Sequence, residues 1–207
     1  MNFATVLTTS RIVIAPIFAM VFVHGYNSDN TKVSWIYICF ALAVLIELSD
    51  MFDGMAARAR KQVTDFGKVY DPIADSVSRQ TVFISFMYTG IIPMWMYMVF
   101  FYRDAFMQLL RIVCASGGYV LAARMSGKIK AVLQGIAAFC MLAVILAQRT
   151  DASWMPKPEW LWDLWGHDPG YWVMLVVAAY TLLSVIDYVI PNRALIVKMM
   201  GNKESGK

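Results

Sequence analysis

Six long apolar runs constrain this chain more than any other feature in it. They cover Ile12–Val23, Val33–Leu48, Val69–Tyr88, a stretch from Ile91 towards Gly117, Val132–Leu146 and Tyr171–Ile190. In hydrocarbon, backbone N–H and C=O groups must be satisfied within the protein, so such runs fold as helices or closed barrels. A barrel strand would alternate apolar and polar residues over about ten positions. These runs do not alternate, and with their flanking residues they suit helices of the roughly 20 residues that span a bilayer. Composition agrees: 59% of the 207 residues are hydrophobic and 15% charged, whereas soluble domains carry about 25% charge. The expected fold is all-α, an integral membrane bundle of six transmembrane helices forming a single domain over residues 1–207. Residues 1–10 mix apolar residues with Asn2, Thr5, Thr8, Thr9 and Ser10, which predicts a short amphipathic helix lying in the interface ahead of the first span. The first apolar run reads as a retained helix, without the basic start and small-residue cleavage site of a signal peptide. Ser126–Lys130 reads as a basic loop ahead of the fifth span, and Pro191 is expected to end the sixth.

Basic residues orient the bundle. With the N-terminus in the cytoplasm, fourteen of them fall on the cytoplasmic side and three on the other. Cytoplasmic loops carry the excess of Lys and Arg, so both termini are expected in the cytoplasm. Trp154, Trp160, Trp162 and Trp165 sit in the long loop before the sixth span, as interfacial tryptophans do. The net charge of +4 is explained by these loops, and no nucleic-acid partner is expected. Cys39, Cys114 and Cys140 lie in apolar runs at no metal-ligand spacing and read as small buried hydrophobes.

The polar exception is the stretch Asp50 to Asp75. Asp50 and Asp53 are three residues apart, Asp71 and Asp75 four apart, so each pair shares a helix face. An acidic side chain inside a membrane helix costs about 2.5–3.5 kcal/mol on insertion scales. Four together would repel strongly unless divalent cations neutralised them. A two-metal site would clamp phosphates and stabilise the attacking and leaving oxygens of a displacement. Gly54, Ala57 and Gly67 leave room for a ligand beside the carboxylates, and Arg58 offers a fork for phosphate oxygens. A cation-coupled transporter also uses intramembrane carboxylates, but ion binding alone does not need these glycines or Arg58.

The spacing Asp50-x2-Asp53-Gly54-x2-Ala57-Arg58-x8-Gly67-x3-Asp71-x3-Asp75 resembles the signature of the CDP-alcohol phosphotransferase family at every fixed position. That resemblance implies a six-helix homodimer in the cytoplasmic (inner) membrane of a bacterium, with the site at the cytoplasmic interface. It implies transfer of a substituted phosphate from a CDP-linked donor, here CDP-diacylglycerol, to an alcohol, with release of CMP. It makes Asp50, Asp53, Asp71 and Asp75 ligands of two divalent ions, Mg²⁺ or Mn²⁺. Asp75 is in addition the base that deprotonates the alcohol. Asp50, Gly54, Ala57, Arg58 and Gly67 are then expected to line the CDP pocket.

Two further segments concern the acceptor. Arg103–Arg111 (RDAFMQLLR) and Gly127–Gln134 (GKIKAVLQ) resemble the branch of the family whose acceptor is glycerol 3-phosphate. Ala131 replaces that branch's usual Thr, and Ala4-Thr5 replaces its usual Pro-Asn, while Thr8 and Arg11 match. Arg111, Arg124, Lys128 and Lys130 are expected to bind the acceptor phosphate. Cardiolipin-forming, inositol-phosphate and serine transferases are the alternatives within the family. Arg103 and Asp104 read equally as an ion pair within the bundle or as part of the acceptor site. Glu47 and Asp187 read as structural.

Overall fold

The computed structural model describes residues 3–28, 33–59, 65–116, 125–150 and 167–201. Within these, side chains are described for 6–28, 33–52, 70–114, 125–150 and 167–193. Six helices occupy the described residues: α1 Phe3–Asn27, α2 Ser34–Ala59, α3 Asp65–Tyr88, α4 Met94–Ser116, α5 Met125–Arg149 and α6 Pro169–Gly201. Four are long and apolar enough to cross a bilayer, over Val6–Asn27, Ser34–Phe52, Met125–Arg149 and Pro169–Arg193. The other two, α3 and α4, have 24 and 23 residues, or about 35 Å at 1.5 Å per residue. They are less apolar because they carry Asp71, Asp75, Arg79, Arg103, Asp104 and Arg111.

Three boundaries differ from expectation. The expected interfacial segment is not separate, since α1 runs unbroken from Phe3 through Pro16 to Asn27. The hydroxyls at its start do not interrupt it: Ser10 Oγ donates to the Leu7 carbonyl at 2.7 Å, within its own helix. The basic segment Ser126–Lys130 is helical and forms the first turns of α5, where a contact from Lys130 to α4 pins it. Finally, α6 continues through Pro191 to Gly201. There the Asn192 side chain donates to the Tyr188 carbonyl at 2.8 Å, supplying a side-chain bond in the interrupted turn.

The ends are set by local chemistry. After α3, Gly90 adopts φ +77°, a left-handed conformation that glycine takes without a Cβ penalty. Its N–H donates to Met87 O and the Ile91 N–H to Phe86 O, both at 3.0 Å, a Schellman closure of the helix. Asp168 caps α6: its Oδ1 accepts from the Tyr171 N–H at 3.0 Å, with Pro169 in the first helical position.

Helices α1, α2 and α3 pack together, as do α4, α5 and α6; α3 on α4 and α2 on α5 join the two halves. The centre of the first half is aromatic. Phe22 meets Phe86 edge-on at 5.0 Å and Trp35 at 5.7 Å, and Phe83 stacks on Phe100 of α4 at 5.0 Å. Such pairs contribute about 0.5–1.5 kcal/mol each beyond area burial. The outside is apolar as well, with Val13, Met20, Leu45, Leu109, Val176 and Leu183 exposed. Polar side chains lie inside instead: Thr8, Arg11, Asp104, Lys130, Gln134 and Ser184 are all buried. Polar groups within and apolar groups without is the arrangement lipid selects.

Candidate active site

Helix α1 gathers the carboxylates of its two neighbours. Thr8 and Arg11 lie one turn apart on its inner face, 0% and 1% exposed. Arg11 Nη1 sits 2.5 Å from Asp50 Oδ1 on α2 and 3.6 Å from Asp75 Oδ1 on α3. Thr8 Oγ1 donates to Asp71 Oδ1 at 3.0 Å. One turn along α3, Arg79 Nη2 reaches Asp75 Oδ1 at 2.9 Å. The Thr9 and Tyr70 hydroxyls add a 3.2 Å link between α1 and α3. The Arg11 side chain is sealed in the bundle, whereas that of Asp50 is 45% exposed, so the cluster opens to ligand from the carboxylate side.

Asp50 and Asp75 converge on one guanidinium nitrogen, which means that they already share a single positive charge. Their donors are hard carboxylate oxygens, the type that Mg²⁺ and Mn²⁺ take. Among the described residues no three acidic, histidine or cysteine side chains form a ready-made metal cage. In this geometry Arg11 and Arg79 balance the charge of Asp50 and Asp75, and the carboxylate oxygens are of the type a divalent ion takes. Asp53, Gly54, Ala57 and Arg58 fall in the last turns of α2 and Gly67 in the first turn of α3; their side chains lie outside the described residues, as does all of Arg124.

A second polar cluster is built around Asp104 of α4, which is 5% exposed. Its Oδ1 accepts from Lys130 Nζ of α5 at 2.6 Å and Arg103 Nη1 at 3.1 Å. Its Oδ2 accepts from Gln80 Nε2 of α3 at 3.1 Å and more weakly from Ser76 Oγ at 3.4 Å. Arg103 Nε also donates to Ser184 Oγ of α6 at 3.1 Å. One carboxylate thus holds two cations and ties α3, α4, α5 and, through Arg103, α6. A buried charge persists only with partners of this quality. The paired and acceptor-site readings of Arg103 and Asp104 are compatible, since both residues also border a cavity.

That cavity, about 190 Å³, is lined by Arg79, Arg103, Arg111, Lys128 and Lys130, with Asp75 and Asp104 as its carboxylates. Five cations against two anions give its wall a net positive charge, around a space smaller than the roughly 300 Å³ at which drug-sized pockets begin. Of the four residues expected to hold the acceptor phosphate, Arg111, Lys128 and Lys130 meet here. Lys128 is exposed and Lys130 is 4% exposed, so they approach the cavity from its mouth and its floor. Asp75 borders both this cavity and the carboxylate cluster.

Sequence reasoning missed Gln80, Ser76 and Ser184 as holders of this cluster. It also missed Tyr188, whose buried hydroxyl lines the cavity, and Gln108, whose amide donates to the Pro72 carbonyl at 2.6 Å. Uncharged polar residues in apolar runs were the available signal, but spacing alone does not show which helix they face.

The sequence model of the CDP-alcohol phosphatidyltransferase family matches residues 1–183. The chain is 33% identical over 147 residues to the CDP-diacylglycerol–glycerol-3-phosphate 3-phosphatidyltransferase of Bacillus subtilis (strain 168), covering 68% of this chain and 76% of that one. It is 33% identical over 138 residues to a probable phosphatidylglycerophosphate synthase of Mycobacterium tuberculosis (strain CDC 1551 / Oshkosh), covering 66% of this chain and 63% of that one. Against the CDP-diacylglycerol–glycerol-3-phosphate 3-phosphatidyltransferase of Treponema pallidum (strain Nichols) it is 31% identical over 119 residues, 56% of this chain and 55% of that one. With a match over most of its length, this multi-pass membrane protein belongs to the CDP-alcohol phosphatidyltransferase family, as a phosphatidyltransferase enzyme.

Proposed function

We propose that the chain transfers the phosphatidyl group of CDP-diacylglycerol to glycerol 3-phosphate, forming phosphatidylglycerol phosphate and CMP. The observation that carries this reading is the double position of Asp75, at the edge of the carboxylate cluster and on the wall of the cationic cavity. A donor diphosphate needs the first environment and an acceptor that is itself a phosphate needs the second. The names of the relatives support the same pair of substrates.

Asp50, Asp53, Asp71 and Asp75 would hold two divalent ions, Mg²⁺ or Mn²⁺. When bound, these ions supply neutralisation of the diphosphate and of the charge that develops on departing CMP. The rest is the work of the chain. Gly54, Ala57, Arg58 and Gly67 line the CDP pocket together with Asp50. Arg111, Lys128 and Lys130, with Arg124, bind the acceptor phosphate and aim its free hydroxyl at Asp75. Asp75 accepts the hydroxyl proton as the oxygen bonds to the phosphorus that carries the lipid and the bond to CMP breaks. Arg79, paired with Asp75, fixes the orientation of the base. The protein acts as a homodimer in the bacterial inner membrane, with both termini and the site on the cytoplasmic side.

The test is an acceptor panel on purified protein with CDP-diacylglycerol and Mg²⁺ or Mn²⁺, scored by CMP release. Release with glycerol 3-phosphate is expected. Release only with inositol phosphate, serine or phosphatidylglycerol would reject the acceptor, and none with any acceptor would reject the reading.

A further inference from the structure

Gln134 of α5 is fully buried, and neither its amide nitrogen nor its amide oxygen meets a hydrogen-bond partner in the chain. Leaving buried polar atoms unsatisfied costs about 1–3 kcal/mol per group, so this side chain needs a polar guest. It lines a narrow cavity beside the carboxylate cluster, whose other polar walls are Glu47, Asp50, Asp75, Ser78 and Arg79. The space measures about 20 Å³, enough for one water and too small for a substrate. At the neighbouring Gly135 a Cβ would lie 3.0 Å from Glu47 Oε1, so an added methyl would press that carboxylate aside by a few tenths of an ångström. The Ser78 hydroxyl on the same wall donates to the Asp75 carbonyl at 3.1 Å, so this wall already fixes the backbone of the base.

We propose that Gln134 is a positioning residue for phosphatidyl transfer, holding a single buried water against Glu47 and the Asp75–Arg79 pair and so fixing the Asp75 carboxylate from behind. The inference rests on the proposed role of Asp75. An amide suits the task because it donates and accepts at once, and can meet a water that faces both a guanidinium and a carboxylate. It carries no charge of its own to disturb the cluster. The effect is on orientation, and small displacements of a reacting group are expensive in rate.

The experiment compares wild-type protein with Gln134→Leu, which keeps the volume and removes both polar atoms, and with Gly135→Ala, which displaces Glu47 and leaves Gln134 intact. Each is assayed for kcat, for KM of both substrates and for melting temperature in detergent. Wild-type turnover is measured first, so that failure of the proposed function is seen separately. For Gln134→Leu a fall in kcat of about 10- to 100-fold is expected, with both KM values within about twofold and the melting temperature unchanged or raised. Gly135→Ala should lower kcat in the same way. If Gln134 merely fills space, Leu will leave kcat at the wild-type value, and that result overturns the proposal. A high-resolution cryo-EM map supplies a readout independent of activity. Density for a water bonded to the Gln134 amide is expected, and a dry cavity overturns the proposal even if the variants are slow.

Discussion

Lys130 Nζ lies 2.6 Å from Asp104 Oδ1, a contact between α5 and α4 in which both side chains are about 95% buried. Breaking a buried ion pair on one side leaves an uncompensated charge, at about 3–5 kcal/mol. Asp104→Leu, which strands both Lys130 and Arg103, should lower stability by about that amount. The double variant Asp104→Leu with Lys130→Met should be more stable than the single one, because it removes the stranded lysine. Unfolding midpoints in detergent for the two single variants and the double variant close the cycle. Additive losses would mean that the pair is not coupled.

Arg111 and Lys128 face the same cavity as Asp75 but have no carboxylate within ion-pair distance among the described residues. Their charge is available to a ligand. Arg111→Gln and Lys128→Gln should each raise KM for glycerol 3-phosphate about tenfold, as loss of a hydrogen bond to a charged group worth roughly 1.5–3 kcal/mol implies. KM for CDP-diacylglycerol should not move. Steady-state kinetics with each substrate varied in turn separates the two.

Asp75→Asn keeps the side-chain shape and removes the charge that Arg11 and Arg79 share. CMP release should fall to background while the helical circular dichroism remains that of the wild type. Full residual activity would remove Asp75 from its role as base.

Chelation by EDTA should likewise stop CMP release. Excess Mg²⁺ or Mn²⁺ should restore it, and Ca²⁺ should restore less because it tolerates looser coordination. Activity that persists after exhaustive chelation would contradict the metal-dependent reading.

Gly90 offers a control far from the chemistry. At φ +77° an alanine would be strained by about 1–2 kcal/mol. Gly90→Ala should therefore lower the melting temperature and leave kcat and both KM values unchanged.

Much of this was legible in the sequence. Length and hydropathy dictated the helices, and the i, i+4 spacing put Asp71 and Asp75 of α3 on one face, towards α1. The contacts of Thr8 and Arg11 were less visible, because they join residues 63 and 39 positions apart and depend on how helices rotate against one another. The helical start of α5 was read as a loop because Gly127 and two lysines look like one. In the bundle, the bond from Lys130 to Asp104 outweighs that local preference. The continuation of α6 past Pro191 has the same lesson: a proline is a strong stop signal in water and a weak one where neighbouring side chains can serve the backbone. Gln134 was visible only as the last letter of a motif, since an unpartnered amide is a property of three-dimensional surroundings.

The packing of α1, α2 and α3 as one group and α4, α5 and α6 as another has a consequence for how such an enzyme diversifies. The carboxylate cluster sits on α2 and α3, held by Thr8 and Arg11 of α1, and all but one of the cavity's cations sit on α4 and α5. Asp75 and its partner Arg79 stand on the seam, bordering both. Under the proposed function, substitutions in the second half can redraw which alcohol is accepted while the carboxylate cluster that serves the donor stays as it is. Retuning in the other direction is blocked at Asp75, where the two halves share one atom's worth of chemistry.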